Sequence, residues 1–126
     1  MSGRTAGLTT LLVLVAMALV SLGPVPQPDL PGTLELLPHM AAYAFGTYLL
    51  LRVVYRTREA PTHPAKVMLV AGSMVVLGVA MELAQLVVDR DVEISDVFAD
   101  VVGVAVAVAV WSLVRRSHGS ASDRER

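Results

Sequence analysis

Four long apolar runs separated by short polar segments organise the 126-residue chain. The first, GLTTLLVLVAMALVSLG, occupies residues 7–23, and the others cover about 36–55, 67–88 and 95–114. Each approaches the ~20 residues that a helix needs to cross the hydrocarbon of a bilayer. The pattern therefore predicts an all-α fold, an integral membrane four-helix bundle with short loops. Residues 1–126 form one domain in this reading, and the polar segment 115–126 is expected to be a flexible tail. Small residues four apart, at Ala42 and Gly46, Ala80 and Ala84, and Ala99, Gly103 and Ala107, are spaced as in helices that approach closely in lipid.

Polar residues interrupt these runs only near one end of each. His39 and Tyr43 lie early in the second run, Glu82 and Gln85 late in the third, and Asp96 and Asp100 early in the fourth, with Arg90 in the turn between the last two. Lipid offers such groups no partners, so they usually face a bundle interior or an aqueous pocket, and an ionisable residue there is a candidate functional residue.

Composition strengthens the membrane reading. Hydrophobic residues make up 55% of the chain and mean hydropathy is +0.64, above the range of ordinary soluble domains. A formal charge of -1 argues against a nucleic-acid partner. The expected partner is the lipid bilayer. With no cysteine in the chain, disulfides, thiolate metal sites and cysteine nucleophiles are excluded.

The basic residues assign sides. Arg4, then Arg52, Arg56, Arg58 and Lys66, then Arg115, Arg116, Arg124 and Arg126 all fall on one side of a four-span chain, and Arg90 alone falls on the other. The positive-inside rule makes both termini cytoplasmic in a multi-pass protein of the cell membrane. The first run is expected to be an anchor and not a cleaved signal, because VSLGP is a poor small-x-small cleavage site. Pro24, Pro26, Pro28 and Pro31 are expected to stiffen the first outer loop over the bundle mouth.

A helical rise of about 1.5 Å per residue, counted from the basic residue at each cytoplasmic end, puts His39 roughly 20 Å up from Arg52, Glu82 roughly 24 Å from Lys66, and Asp100 roughly 22 Å from Arg115. Three ionisable groups on three helices thus reach one level at the extracytoplasmic end. Residues three, four and seven apart share a helix face. His39, Tyr43 and Gly46 align, as do Glu82, Gln85 and Asp89, and Asp96, Asp100 and Gly103. Burying the three stripes together makes a small pocket that Arg90 is placed to cover.

At these residues the chain resembles the VanZ-like family of small bacterial membrane proteins. The first block is Glu35, His39 and Tyr43 in ELLPHMAAY, and the second is Glu82, Gln85, Arg90, Asp96, Asp100 and Gly103. The chain departs from the family pattern at Leu36, where a basic residue is usual, and at Asp100, where the family has Asn. The resemblance implies a four-helix membrane protein linked to glycopeptide, in particular teicoplanin, resistance. It also suggests a pocket for an anionic envelope component, either a lipid head group or a cell-wall precursor.

Several uses of the cluster stay open at this level. Arg90 can contact an anionic group while His39, Tyr43 and Gln85 supply hydrogen bonds and Glu82, Asp96 and Asp100 orient it or bind a screening cation. The same residues can instead form an ion-paired lock that fixes helix order. A third reading is a membrane-embedded acid–base or metal-dependent enzyme acting on envelope lipid, although HExxH, GxSxG and a phosphate-binding glycine loop are all missing. No cofactor is implied and no metal-ligand set is assigned. A conduit is disfavoured because LLLRVV and GVAVAVAVWSLV look sealed.

Overall fold

The computed structural model describes residues 3–22, 34, 36–55, 62–88 and 93–122. Among them it contains four α-helices and no strand: α1 (Gly3–Leu22), α2 (Leu37–Val54), α3 (Pro64–Gln85) and α4 (Ile94–Ser122), with a 3-10 turn at Leu86–Val88 after α3. The all-helical four-element architecture is the one expected. Residues 24–31, with the four loop prolines, and Glu35, Arg56, Arg58, Asp89, Arg90, Arg124 and Arg126 lie outside the described residues.

Of the helix ends that differ from expectation, two do so for identifiable reasons. α3 begins at Pro64, three residues early, because His63 is extended with φ -90° and ψ 114° and proline opens the first turn. Proline suits that position, since its missing N–H would have no intrahelical partner there. α4 continues to Ser122, through residues 115–122 of the segment expected to be a flexible tail. Polarity does not stop a helix; propagation is cheap once a long helix has formed, and the segment RRSHGSAS contains no proline.

α2 and α4 share the most extensive contact, α3 packs mainly on α4, and α1 lies against α2 and α3. α2 and α4 run parallel: Met40 meets Gly103 near one end, and Tyr55 meets Trp111 near the other. Gly103 permits this approach, because a Cβ there would overlap the Met40 carbonyl oxygen and stand 3.1 Å from the Ala44 nitrogen.

Two apolar clusters fill the interior. Met17, Tyr43, Met74 and Val104 pack at mid-height. Leu51, Tyr55, Val67, Val70 and Trp111 close the end that carries Arg52, Lys66 and Arg115. There the Tyr55 and Trp111 rings lie 4.9 Å apart, and the Arg115 guanidinium sits 5.2 Å and 5.1 Å from their centroids. Each such cation–ring contact contributes about 0.5–2 kcal/mol. The Tyr55 hydroxyl donates to the His63 carbonyl at 2.9 Å, tying the end of α2 to the start of α3.

The outside of the bundle is apolar. Leu12, Phe45, Met68, Leu69, Phe98 and Leu113 are all more than 60% exposed. Two helices are long and apolar enough to cross a membrane, Pro64–Gln85 and Ile94–Ser117. Only 28% and 33% of their most apolar windows are buried, unlike the core helix of a soluble protein. α1 has a shorter apolar stretch, Gly7–Leu19. In α2 the residues His39, Tyr43, Thr47, Tyr48 and Arg52 dilute the apolar pattern.

Candidate binding site at the α2–α3–α4 end

The site is assembled from one stripe on each of three helices. On α2, His39 and Tyr43 are one turn apart and point between α3 and α4, with Thr47 one turn deeper. On α3, Gly78, Glu82 and Gln85 share a face, and all three are buried. On α4, Asp96 lies in the first turn, where the partial positive charge of the helix start favours a carboxylate. Asp100 follows one turn later, 2% exposed.

His39 bridges the two α4 carboxylates. Its Nδ1 is 3.3 Å from Asp100 Oδ1 and its Nε2 is 3.4 Å from Asp96 Oδ2. A neutral imidazole has a single N–H, so only the imidazolium can donate to both acids at once. Glu82 completes the group from α3: one ligand atom each from His39, Glu82 and Asp100 lies within 4.8 Å of the others. His39 and Asp96, whose side chains are 13% and 20% exposed, form the open side; Glu82 and Asp100, at 3% and 2%, form the deep side.

Gly78 makes room for the acid. A Cβ at that position would stand 2.8 Å from Asp100 Oδ2 and 3.4 Å from the Tyr43 ring. Any larger side chain would push the carboxylate or the ring out of place.

Three buried side-chain atoms have no hydrogen-bond partner among the described residues: Glu82 Oε2, the Tyr43 hydroxyl and Thr47 Oγ1. Leaving such a group unmade costs about 1–3 kcal/mol. Buried polar atoms are otherwise almost always partnered, and an exception calls for a reason such as a ligand, an ion or ordered water.

Six of the seven residues singled out from sequence are thus placed at one end of the bundle. His39, Glu82, Asp96 and Asp100 are brought together, Tyr43 lies beside them beneath Gly78, and Gln85 is buried one turn along from Glu82. Arg90 lies outside the described residues. Sequence reasoning missed Thr47 and Gly78, though the spacings 39-43-47 and 78-82-85 could have found both. An apolar groove between α1 and the α2–α3 pair, lined by Val13, Gly46, Leu50 and Met74 among others, carries none of these groups. We place the chemistry at the polar cluster, since an apolar groove offers no group able to recognise a charge or transfer a proton.

Comparison with protein-family models, curated proteins and solved structures finds no match. The VanZ-like resemblance rests on its two motif blocks alone. The described geometry bears on what those blocks can do chemically. Around one imidazole stand three carboxylates, a donor-poor and acceptor-rich arrangement that favours cations and hydrogen-bond donors over a bare anion.

Proposed function

We propose that the chain is a VanZ-like integral membrane protein whose extracytoplasmic end holds a pocket for the polar head group of an anionic envelope component. The observation that carries this reading is the set of buried oxygens of Glu82 and Tyr43 that have no hydrogen-bond partner among the described residues, beside the converged His39, Asp96 and Asp100. A lock that served only to fix helix order would be expected to satisfy its own atoms, because a half-satisfied buried network is a net cost. A pocket keeps such atoms for what enters it.

The apolar exterior supports placement in a bilayer, because contiguous exposed apolar surface of this extent marks contact with lipid or protein. Arg52, Lys66, Arg115 and Arg116 gather at the end sealed by Tyr55 and Trp111, which under the positive-inside rule is the cytoplasmic one. The polar end then faces outward, with its more exposed members, His39 and Asp96, toward the head-group layer. Arg90, between α3 and α4 in the sequence, would supply a fork able to pair with a phosphate or carboxylate. By family resemblance the bound component belongs to the chemistry that glycopeptides target, and the phenotype is reduced teicoplanin susceptibility.

The test is expression in a susceptible Gram-positive host with Glu82→Gln, Arg90→Ala and Asp96→Asn variants matched for membrane abundance. The expected result is a loss of susceptibility shift in all three at unchanged abundance and melting temperature. A wild-type chain that produces no shift removes the resistance link. Loss of phenotype that tracks loss of protein in every variant favours the lock, which the His39 bridge between Asp96 and Asp100 would then explain.

A further inference from the structure

We propose that His39, Glu82 and Asp100 bind a divalent transition-metal cation, with zinc the best fit to one imidazole nitrogen and two carboxylate oxygens. The inference rests on the pocket reading and deepens it, by supplying the group through which an acidic pocket can hold an anionic ligand.

Geometry leads. Zinc bonds of about 2.0–2.2 Å in a tetrahedral arrangement place neighbouring ligand atoms roughly 3.4 Å apart. His39 Nδ1 and Asp100 Oδ1 are already 3.3 Å apart. The whole trio spans no more than 4.8 Å, so a shift of about 1.4 Å in the farthest ligand atom would complete the set. The three ligands come from three different helices, so the cation would pin α2, α3 and α4 at one level.

Two independent observations point to a ligand at this cluster. Glu82 is 3% exposed and its Oε2 lacks a hydrogen-bond partner among the described residues. Tyr43 is 2% exposed, on the same face of α2 as His39, and its hydroxyl stands beside Asp100 without a hydrogen bond of good geometry among the described residues. An ionised carboxylate held in such a place without a compensating charge is costly.

The surroundings of His39 also match a metal ligand. A ligating histidine almost always gives its second ring N–H to a carboxylate, which fixes the tautomer and orientation. Asp96 Oδ2, 3.4 Å from Nε2, is that carboxylate, leaving Nδ1 for the metal. Two carboxylates balance the double charge, and Asp96 then compensates Nε2–H. Three protein ligands leave a fourth position open, as in sites that take water or a substrate. The opening lies toward the less buried side formed by His39 and Asp96, where an anionic oxygen from a head group would complete the coordination.

The full chain, purified in detergent and stripped with chelator, would be titrated calorimetrically with zinc chloride and in parallel with magnesium and calcium chloride. One zinc per chain, bound far more tightly than magnesium or calcium, is expected. Glu82→Gln and Asp100→Asn should each weaken zinc by about 100-fold or more, and Asp96→Asn by about 10-fold to 100-fold. Glu93→Gln, which removes an exposed acid outside the trio, should bind as the wild type does. Cobalt substituted for zinc should show visible absorption bands that His39→Gln shifts, a readout that a merely structural role would not move. Absence of stoichiometric zinc binding by the wild type overturns the proposal, as does equal affinity in well-folded Glu82→Gln and Asp100→Asn. If a variant fails to fold, the wild-type stoichiometry and the cobalt spectrum decide. Zinc failure with an intact susceptibility phenotype removes the metal and keeps the pocket. Zinc binding with no phenotype keeps the metal site and removes the head-group assignment.

Discussion

Replacing Gly103 with alanine should be among the most damaging single-methyl additions in this chain. The added Cβ would overlap the Met40 carbonyl oxygen and come to 3.1 Å from both the Met40 carbonyl carbon and the Ala44 nitrogen. All three are backbone atoms of α2, so no side chain can swing aside. An ordinary carbon–oxygen contact is about 3.3–3.6 Å, and reaching it requires α2 and α4 to part by roughly 1 Å. A gap of that size forfeits about a quarter to a half of each van der Waals well along the interface. Overpacking costs about 1–3 kcal/mol, and the backbone contact puts this case at roughly 2–3 kcal/mol, a fall of about 30-fold or more in the folded-to-unfolded ratio. At about 3–6 °C per kcal/mol for a chain of this size, melting in detergent should fall by roughly 6–18 °C. His39 precedes Met40 and Asp100 precedes Gly103 by one turn, so the same parting should lengthen the His39–Asp100 contact of 3.3 Å. Gly46→Ala is the control, because its Cβ would meet the Sδ and Cε of Met17 and the Cε of Met74, the outer parts of flexible side chains and not backbone. Circular dichroism melts that show Gly103→Ala as stable as the wild type, or less perturbed than Gly46→Ala, would refute the reasoning.

Gly78→Ala should act on the site more than on the fold. Its Cβ would stand 2.8 Å from Asp100 Oδ2, so calorimetry should show zinc weakened on the order of 10-fold with only a small change in the melt. Tyr55→Phe removes the 2.9 Å hydrogen bond to the His63 carbonyl. It should cost about 0.5–1.5 kcal/mol by denaturant titration and leave zinc affinity unchanged, since Tyr55 lies at the opposite end of the bundle.

The helices were legible because each apolar run is long, and the cluster was legible because its polar residues recur at helical spacing and at similar distances from a basic end. His39, Glu82 and Asp100 could be placed on one level by counting residues alone. The cause of their close approach could not. Gly78 and Thr47 carry no charge to draw notice, and their importance depends on what stands opposite: the carboxylate of Asp100 in one case, a closed interior in the other. The helix end at Ser122, beyond the expected 114, has a related reason. The change from AVAVWSLV to RRSHGSAS marks where lipid contact would end, whereas a helix ends where its hydrogen bonding is broken, and no proline follows Trp111. The single-residue departure at Asp100 was visible from the start, but only the contact with His39 Nδ1 shows that its charge is turned inward.

The closed end of the bundle has an electrical consequence. Leu51, Tyr55, Val67, Val70 and Trp111 fill the lower interior with packed apolar side chains among the described residues, so in a bilayer, with the proposed orientation, most of the transmembrane voltage would fall across that plug. Moving one elementary charge through the full drop is worth about 2.3 kcal/mol per 100 mV. A cation entering from the outer side and stopping at His39 and Glu82 would cross only the shallow, partly hydrated layer above the plug. Its occupancy should therefore follow external concentration and be nearly indifferent to membrane potential, so the pocket would report on the outside of the cell even when the membrane is depolarised.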